Sequence, residues 1–192
     1  MPRGRYTVLG DDGEAVGAES FRYGAGVSGW WWFSDVDTRD PEPHRVILDV
    51  AVDAYWNIAR VRVDTGIHHL FLERKDDSLV GIRDDQPFKV PFPPETHLDV
   101  YSPVTNLITT KRLDASSEID VVYVAPITLD LSLVRQRYEL RGPDRVSTPV
   151  GEFDAVRWTF TALDIDWTAD LWVADDTVVA YERLFKLAEL EA

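Results

Sequence analysis

Cysteine is absent from this chain of 192 residues, which excludes disulfide frameworks, thiol nucleophiles, Cys-based zinc sites and Cys-ligated iron–sulfur clusters together. Positive charge is short: 20 Lys and Arg face 34 Asp and Glu, a net charge of −14. Such a field repels a phosphate backbone, so nucleic acid is not expected as a partner. Asp dominates the acids and Arg far outnumbers Lys; the bias reads as a solvated acidic surface, with a high-salt habitat as the alternative. Long apolar runs are also missing. The uncharged stretches around residues 30–32 and 100–110 fall far short of the roughly 20 apolar residues that a membrane helix needs. The basic start, Met1 to Tyr6, leads straight into Gly10, Asp11, Asp12 and Gly13 with no apolar core of a signal peptide. The expectation is a soluble cytoplasmic protein with no transmembrane segment.

What is present is globular: 45% hydrophobic residues and 11% aromatic. A chain of this length hides roughly 70% of its surface on folding, so its core requires neither disulfides nor metal. No repeat and no linker divides the chain, and one domain is expected over 1–192.

Period-2 alternation recurs almost throughout. Val46, Leu48, Val50 and Val52 share one face against Asp49 and Asp53. Residues 56–64 continue strand-like, and 70–73 and 79–82 flank the turn Asp76–Asp77. Later strand candidates are 120–125, 129–140, 153–162, 164–174 and 177–181. Helical spacing is convincing only in 182–191, where Leu184, Leu187 and Ala188 fall at i, i+3 and i+4. Residues 87–94 are too proline-rich for a regular ladder strand and are expected to cross between sheet regions. The fold class is therefore mostly β (α+β), an antiparallel sheet with a short C-terminal helix.

Catalytic and metal motifs are weak. Gly24, Gly26 and Gly29 match G-x-G-x-x-G, but Trp30-Trp31-Trp32-Phe33 follows where a dinucleotide site requires a helix. No nucleotide cofactor is expected. Of the four histidines, His44, His68, His69 and His97, the adjacent pair would point to opposite faces of a strand. The calcium-like run Asp35, Asp37, Arg39, Asp40 carries a cation at a ligand position. Asp164 and Asp166 share a strand face that solvation explains. No metal is expected. Ser28 misses the G-x-S-x-G pattern at its last residue, so no catalytic residue is assigned.

Tryptophan is the informative excess, with 7 residues. In three consecutive strand tryptophans, Trp31 must face opposite Trp30 and Trp32, so a second apolar surface needs cover from a further core layer, a partner or a ligand.

The segment from Leu98 to Leu113, with Pro103, Thr105, Asn106, Lys111 and Arg112, resembles a stretch of a glycolipid-binding family of bacterial proteins: an Asp-containing strand, a Pro-x-Thr-Asn core, a short apolar link and two basic residues before Leu. Residues 53–63 around Trp56, Tyr123 to Pro126, Gln136-Arg137-Tyr138 and residues 168–181 are similar in order and spacing, and the likeness covers roughly residues 44–185. The chain departs from the pattern at Thr109, Thr110 and Lys111, and 153–162 looks like an insertion. The resemblance implies a spiral β-roll, a single strongly curved antiparallel sheet wrapping a helix, similar to lipoprotein-localisation carriers that hold acyl chains in the concave face.

The function expected on this basis is non-enzymatic binding or carriage of an amphipathic ligand, a glycolipid or acyl-chain lipid, by the concave face. A small hydrolase or isomerase acting on an apolar substrate, and an interaction module with a tryptophan-rich face that could form a homodimer, are the alternatives. Trp56, Tyr138, Trp158 and Trp172, each in an alternating pattern, are the expected lining residues. Asn106, on the connection after Pro103, can bond a sugar hydroxyl or its own turn. Lys111 and Arg112 can meet a phosphate or carboxylate head, or form surface ion pairs. The competing outcome is a plug, with Leu184, Phe185 and Leu187 filling the concavity.

Overall fold

The computed structural model describes residues 1–27, 29–39 and 42–191; Ser28 and Asp40, considered above for the nucleophile and calcium patterns, lie outside them. The strands are β1 (Arg3–Leu9), β2 (Ala15–Ala25), β3 (Gly29–Thr38), β4 (His44–Asp53), β5 (Ile58–Asp64), β6 (His69–Lys75), β7 (Ser78–Arg83), β8 (Gln86–Pro91) and β9 (His97–Asp99), followed by helix α1 (Pro103–Arg112). After the helix come β10 (Ser117–Val124), β11 (Leu131–Thr148), β12 (Gly151–Ala162), β13 (Trp167–Ala174), β14 (Thr177–Tyr181) and β15 (Phe185–Glu191). They form one sheet in the order β8 to β1, then β15 down to β9. Every neighbour in the sheet is thus a neighbour in sequence, apart from the pairing of β1 with β15. All pairings are antiparallel except the short parallel one between β9 and β10.

Curvature follows from connectivity. The sheet's two outermost strands, β8 and β9, are joined directly by residues 92–96. Six residue steps reach about 20 Å at full extension. Fifteen strands laid flat would put those edges about 65 Å apart at the usual inter-strand spacing. The sheet therefore rolls until its edges approach, leaving a single seam. Arg83, at the end of β7, ties across that seam to the turn between β10 and β11, donating to Asp130 at 2.7 Å and to the Thr128 carbonyl at 3.0 Å.

Alternation makes the inside of the roll the core. On β4, Val46, Leu48, Val50 and Val52 are buried, and on β3 the inward set is Trp30, Trp32, Ser34, Val36 and Thr38. Trp31 faces outward, half-buried, against Gly24 across the strand pair and near Gly26. Its cover is thus glycine backbone of the neighbouring strand, and the three glycines of the G-x-G-x-x-G match belong to a hairpin. A Cβ on Gly29 would lie 2.1 Å from the Val52 carbonyl oxygen, so only glycine permits the approach of β3 to β4 there. Part of the aspartate excess serves the turns: Asp76, Asp84, Asp85, Asp166 and Asp175 all take positive φ, a conformation that Asp tolerates well among non-glycine residues.

Three sequence expectations need correction. The C-terminal stretch is a strand, not a helix: β15 pairs with β14 and β1, which recruit it into the ladder despite its helical spacing. The helix is α1. Ser102 caps it, accepting from the Val104 amide, Pro103 occupies the first turn, and Lys111 and Arg112 fall in the last. Residues 87–94 do include a ladder strand, β8, because an edge strand can leave the donor-less side of Pro87 and Pro91 unpaired.

Candidate functional site

Helix α1 carries few charges and many β-branched residues, yet its residues from Pro103 to Thr110 are all buried. Burial of polar side chains demands partners, and each finds one. The Thr105 hydroxyl donates to Asp99 at 3.1 Å, the Asn106 amide donates to the Tyr138 hydroxyl at 2.8 Å, and the Thr110 hydroxyl donates to the Leu107 carbonyl at 2.9 Å. Thr109 lies 3.1 Å from Nδ1 of His97, whose pKa burial lowers to about 3, so that ring is neutral at physiological pH. The helix fills the core of the roll, the role that the competing plug reading gave to Leu184, Phe185 and Leu187.

The helix leaves space at its N-terminal end. A cavity of about 410 Å³ opens there, within the ordinary range for small-molecule sites. Phe160, Ile165, Trp167, Tyr181, Leu184 and Phe185 supply much of its apolar wall, and Asp99, Ser102, Asn106 and Gln136 its polar floor. These residues come from β12, β13 and the turn between them, from β14, β15 and the turn between them, from β9 and the chain that leads into α1, from α1 itself and from the inward face of β11. Gln136 donates to Asp99 at 2.6 Å and the Tyr138 hydroxyl donates back to Gln136 at 3.4 Å. The floor is therefore a continuous chain: Thr105, Asp99, Gln136, Tyr138, Asn106. Burial pushes the Asp99 carboxyl up, opposed by its bonds from Gln136 and Thr105. Burial likewise pushes up Tyr138 and Tyr181, which keeps both phenols protonated as donors.

A second buried carboxyl lies one hydrogen bond behind this floor. The Ser102 hydroxyl donates to Oε1 of Glu19 at 2.7 Å, and burial raises the Glu19 pKa to about 7, opposed by Ser102, Ser34 and Trp32. Among the described residues, Oε2 of Glu19, the Tyr6 hydroxyl, the Ser34 hydroxyl and the indole N–H groups of Trp30 and Trp32 are buried without a well-aligned hydrogen bond, Ser34 and Trp32 lying close to Glu19 but poorly oriented.

The expected site residues separate into distinct places. Asn106 borders the cavity, with Tyr138 bonded behind it. Trp56 and Lys111 meet, the ammonium 5.3 Å from the ring centre, while Lys111 also pairs with Asp176 at 2.8 Å. That group lies at the far end of α1 and of β13, away from the cavity, because Asp176 follows β13 whereas Asp164 and Ile165 precede it. Arg112 donates to the carbonyls of Pro94 and Thr96 and borders a separate depression with Glu95, His97 and Glu118. Trp158 is packed in the core. Trp172 is on the outer face, where it donates to Asp144 at 2.9 Å and the Arg157 guanidinium lies 5.5 Å from its ring. The alternation of β13 turns Leu171 and Val173 inward, so Trp172 must turn out.

Asp99, Gln136, Phe160, Trp167 and Tyr181 were not among the site residues expected from the sequence. One signal was available: Ile165 lies within the turn 163–166, where solvation favours polar residues, and it is 75% exposed. Among the described residues no group of histidines and carboxylates is arranged to hold a metal, and no helix is long and apolar enough to cross a membrane.

Two solved structures share the architecture. A DUF1089 family protein from Pseudomonas aeruginosa superposes with a TM-score of 0.63 at 18% identity, over 88% of this chain and 91% of that one. A β-barrel-like protein of the domain of unknown function DUF1849 from Brucella abortus gives 0.56 at 7% identity, over 99% and 96%. At these identities the likeness establishes the fold: one large curved sheet, mostly β, with one short helix. No family model and no curated protein matches the chain.

Proposed function

We propose that the protein is a non-enzymatic binder of an amphipathic small molecule, held in the cavity at the N-terminal end of α1. The observation that carries this reading is the contrast inside one cavity: an apolar wall of Phe160, Trp167, Tyr181 and Phe185 against a floor of hydrogen-bonded polar groups at Asp99, Asn106 and Gln136. An apolar body gains about 0.8 kcal/mol per methylene buried on such a wall, and the floor orients a polar end. A glycolipid or another chain-bearing lipid fits that division, with sugar hydroxyls on the floor rather than on Lys111 and Arg112, which are engaged elsewhere. The whole of 1–192 acts as one unit in this reading: the lining comes from β9 to β15, and β2 of the other half backs it through the bond of Ser102 to Glu19.

Titration with dodecyl glucoside below its micelle concentration, followed by tryptophan emission, tests the proposal. A saturable shift is expected, and Trp167→Phe should remove most of it because Trp167 is the wall's only tryptophan among the described lining residues. Emission that stays flat at every concentration would overturn the reading.

A further inference from the structure

We propose, building on the binding reading above, that the occupant carries a primary ammonium at its polar end and that the cavity discriminates against anionic heads. Among the described residues, the carboxyls at and behind the floor meet no cation of their own. Asp99 lines it, Glu19 stands one hydrogen bond behind through Ser102, and Asp164 is at the rim. The other titratable groups facing Asp99 are tyrosines, Tyr123, Tyr138 and Tyr181, which supply no positive charge.

Arg135 is the one cation among the described lining residues, and it does not serve the floor. Its side chain is 60% exposed and donates to Glu118 at 2.8 Å. The basic residues next in sequence to the lining are spent as well, Arg137 on Glu118 and Arg183 on the Thr168 carbonyl and the Trp167 ring, as are Lys111 on Asp176 and Arg112 on backbone carbonyls.

Asp99 thus accepts two neutral hydrogen bonds and has no cationic partner among the described residues, and burial holds its carboxyl above the usual range. A buried carboxyl in that position is satisfied best by a charge-assisted donor. An ammonium brings three donors and the missing charge. A carboxylate or phosphate would instead set two desolvated negative groups side by side.

Three ligands with the same chain decide the matter: dodecylamine, dodecanol and dodecanoate, titrated by tryptophan emission at neutral pH. High salt screens the general attraction of an acidic protein for amines. Dodecylamine is expected to bind about tenfold or more tighter than dodecanol, the scale of one charge-assisted hydrogen bond, and dodecanoate weakest. In Asp99→Asn the ratio of amine to alcohol affinity should collapse towards one. Dodecanoate binding as tightly as the amine, or a ratio that survives in Asp99→Asn, would overturn the inference while leaving the binding reading intact. No response to any of the three would overturn both. Should Asp99→Asn fail to fold, the ranking on the unmodified protein decides alone.

Discussion

Glu19→Gln is expected to stabilise the protein by about 3 kcal/mol at mildly alkaline pH and to change little near pH 4, an effect of about 1.4 kcal/mol for each unit of the pKa difference. The unfolded chain loses the Glu19 proton at its ordinary value of 4.5, whereas burial in the fold holds it to about 7. Between those values the folded state binds a proton that the unfolded state has released, so stability falls as pH rises across this window and is fully restored only below the unfolded value. Glutamine keeps an oxygen for the Ser102 hydroxyl and carries no charge to desolvate. Urea unfolding of both proteins across the pH range checks this. The two stability curves should converge at the acid end and separate from about pH 4.5 to 7, the span of the two pKa values; parallel curves would contradict the assignment.

Trp32→Ala is expected to cost about 3–5 kcal/mol, the usual range for emptying a buried aromatic position. Trp32 is 1% exposed and stacks on Phe21 at 4.5 Å and on Tyr23 at 5.5 Å between ring centres, so its loss removes the centre of an aromatic layer as well as its own burial. Trp31→Ala, one residue along and on the outer face, should cost less than about 2 kcal/mol, because a half-exposed side chain forfeits less area and leaves no closed void. Equal losses from the two variants in denaturant unfolding would mean that the inward and outward assignment of β3 is wrong.

The strands were legible wherever one face meets the core and the other meets water, as in Val46 to Val52, because period 2 is then written directly in the residues. The same rule separates Trp31 from its neighbours without coordinates. Helix α1 was not legible for the complementary reason. A helix buried on all sides has no polar face to mark its period, and Thr105, Asn106, Thr109 and Thr110 look like loop or strand residues until their bonds inside the roll are seen. The C-terminal stretch misled in the other direction: Leu184, Leu187 and Ala188 have helical spacing, but β1 and β14 offer a ladder on both sides and the ladder wins.

The site was legible only in pieces. Asn106 and Tyr138 could be named, but their bond to each other spans 32 positions and depends on how α1 enters the roll. Trp158 and Trp172 have the same alternating surroundings in sequence, yet one packs inside and the other outside, because only the register of β12 against β13 fixes which face is concave. Lys111 and Arg112 resemble a head-group clamp in sequence, and the turn after β13 and the 92–96 linker claim them instead.

The cavity beside Asp99 is the proposed seat of the ligand, and Ala162→Phe probes that placement. Ala162 borders the cavity at the end of β12, half-buried, so a phenyl group there fills the space from the wall without removing a hydrogen bond of the floor. Calorimetric titration of dodecyl glucoside into the unmodified protein and into this variant, with thermal unfolding run alongside, gives the answer. A thermal midpoint within a few degrees of the parent, equivalent to about 1 kcal/mol or less, is expected, together with binding weakened by about tenfold or more. Binding of unchanged affinity in a folded Ala162→Phe protein would place the ligand elsewhere.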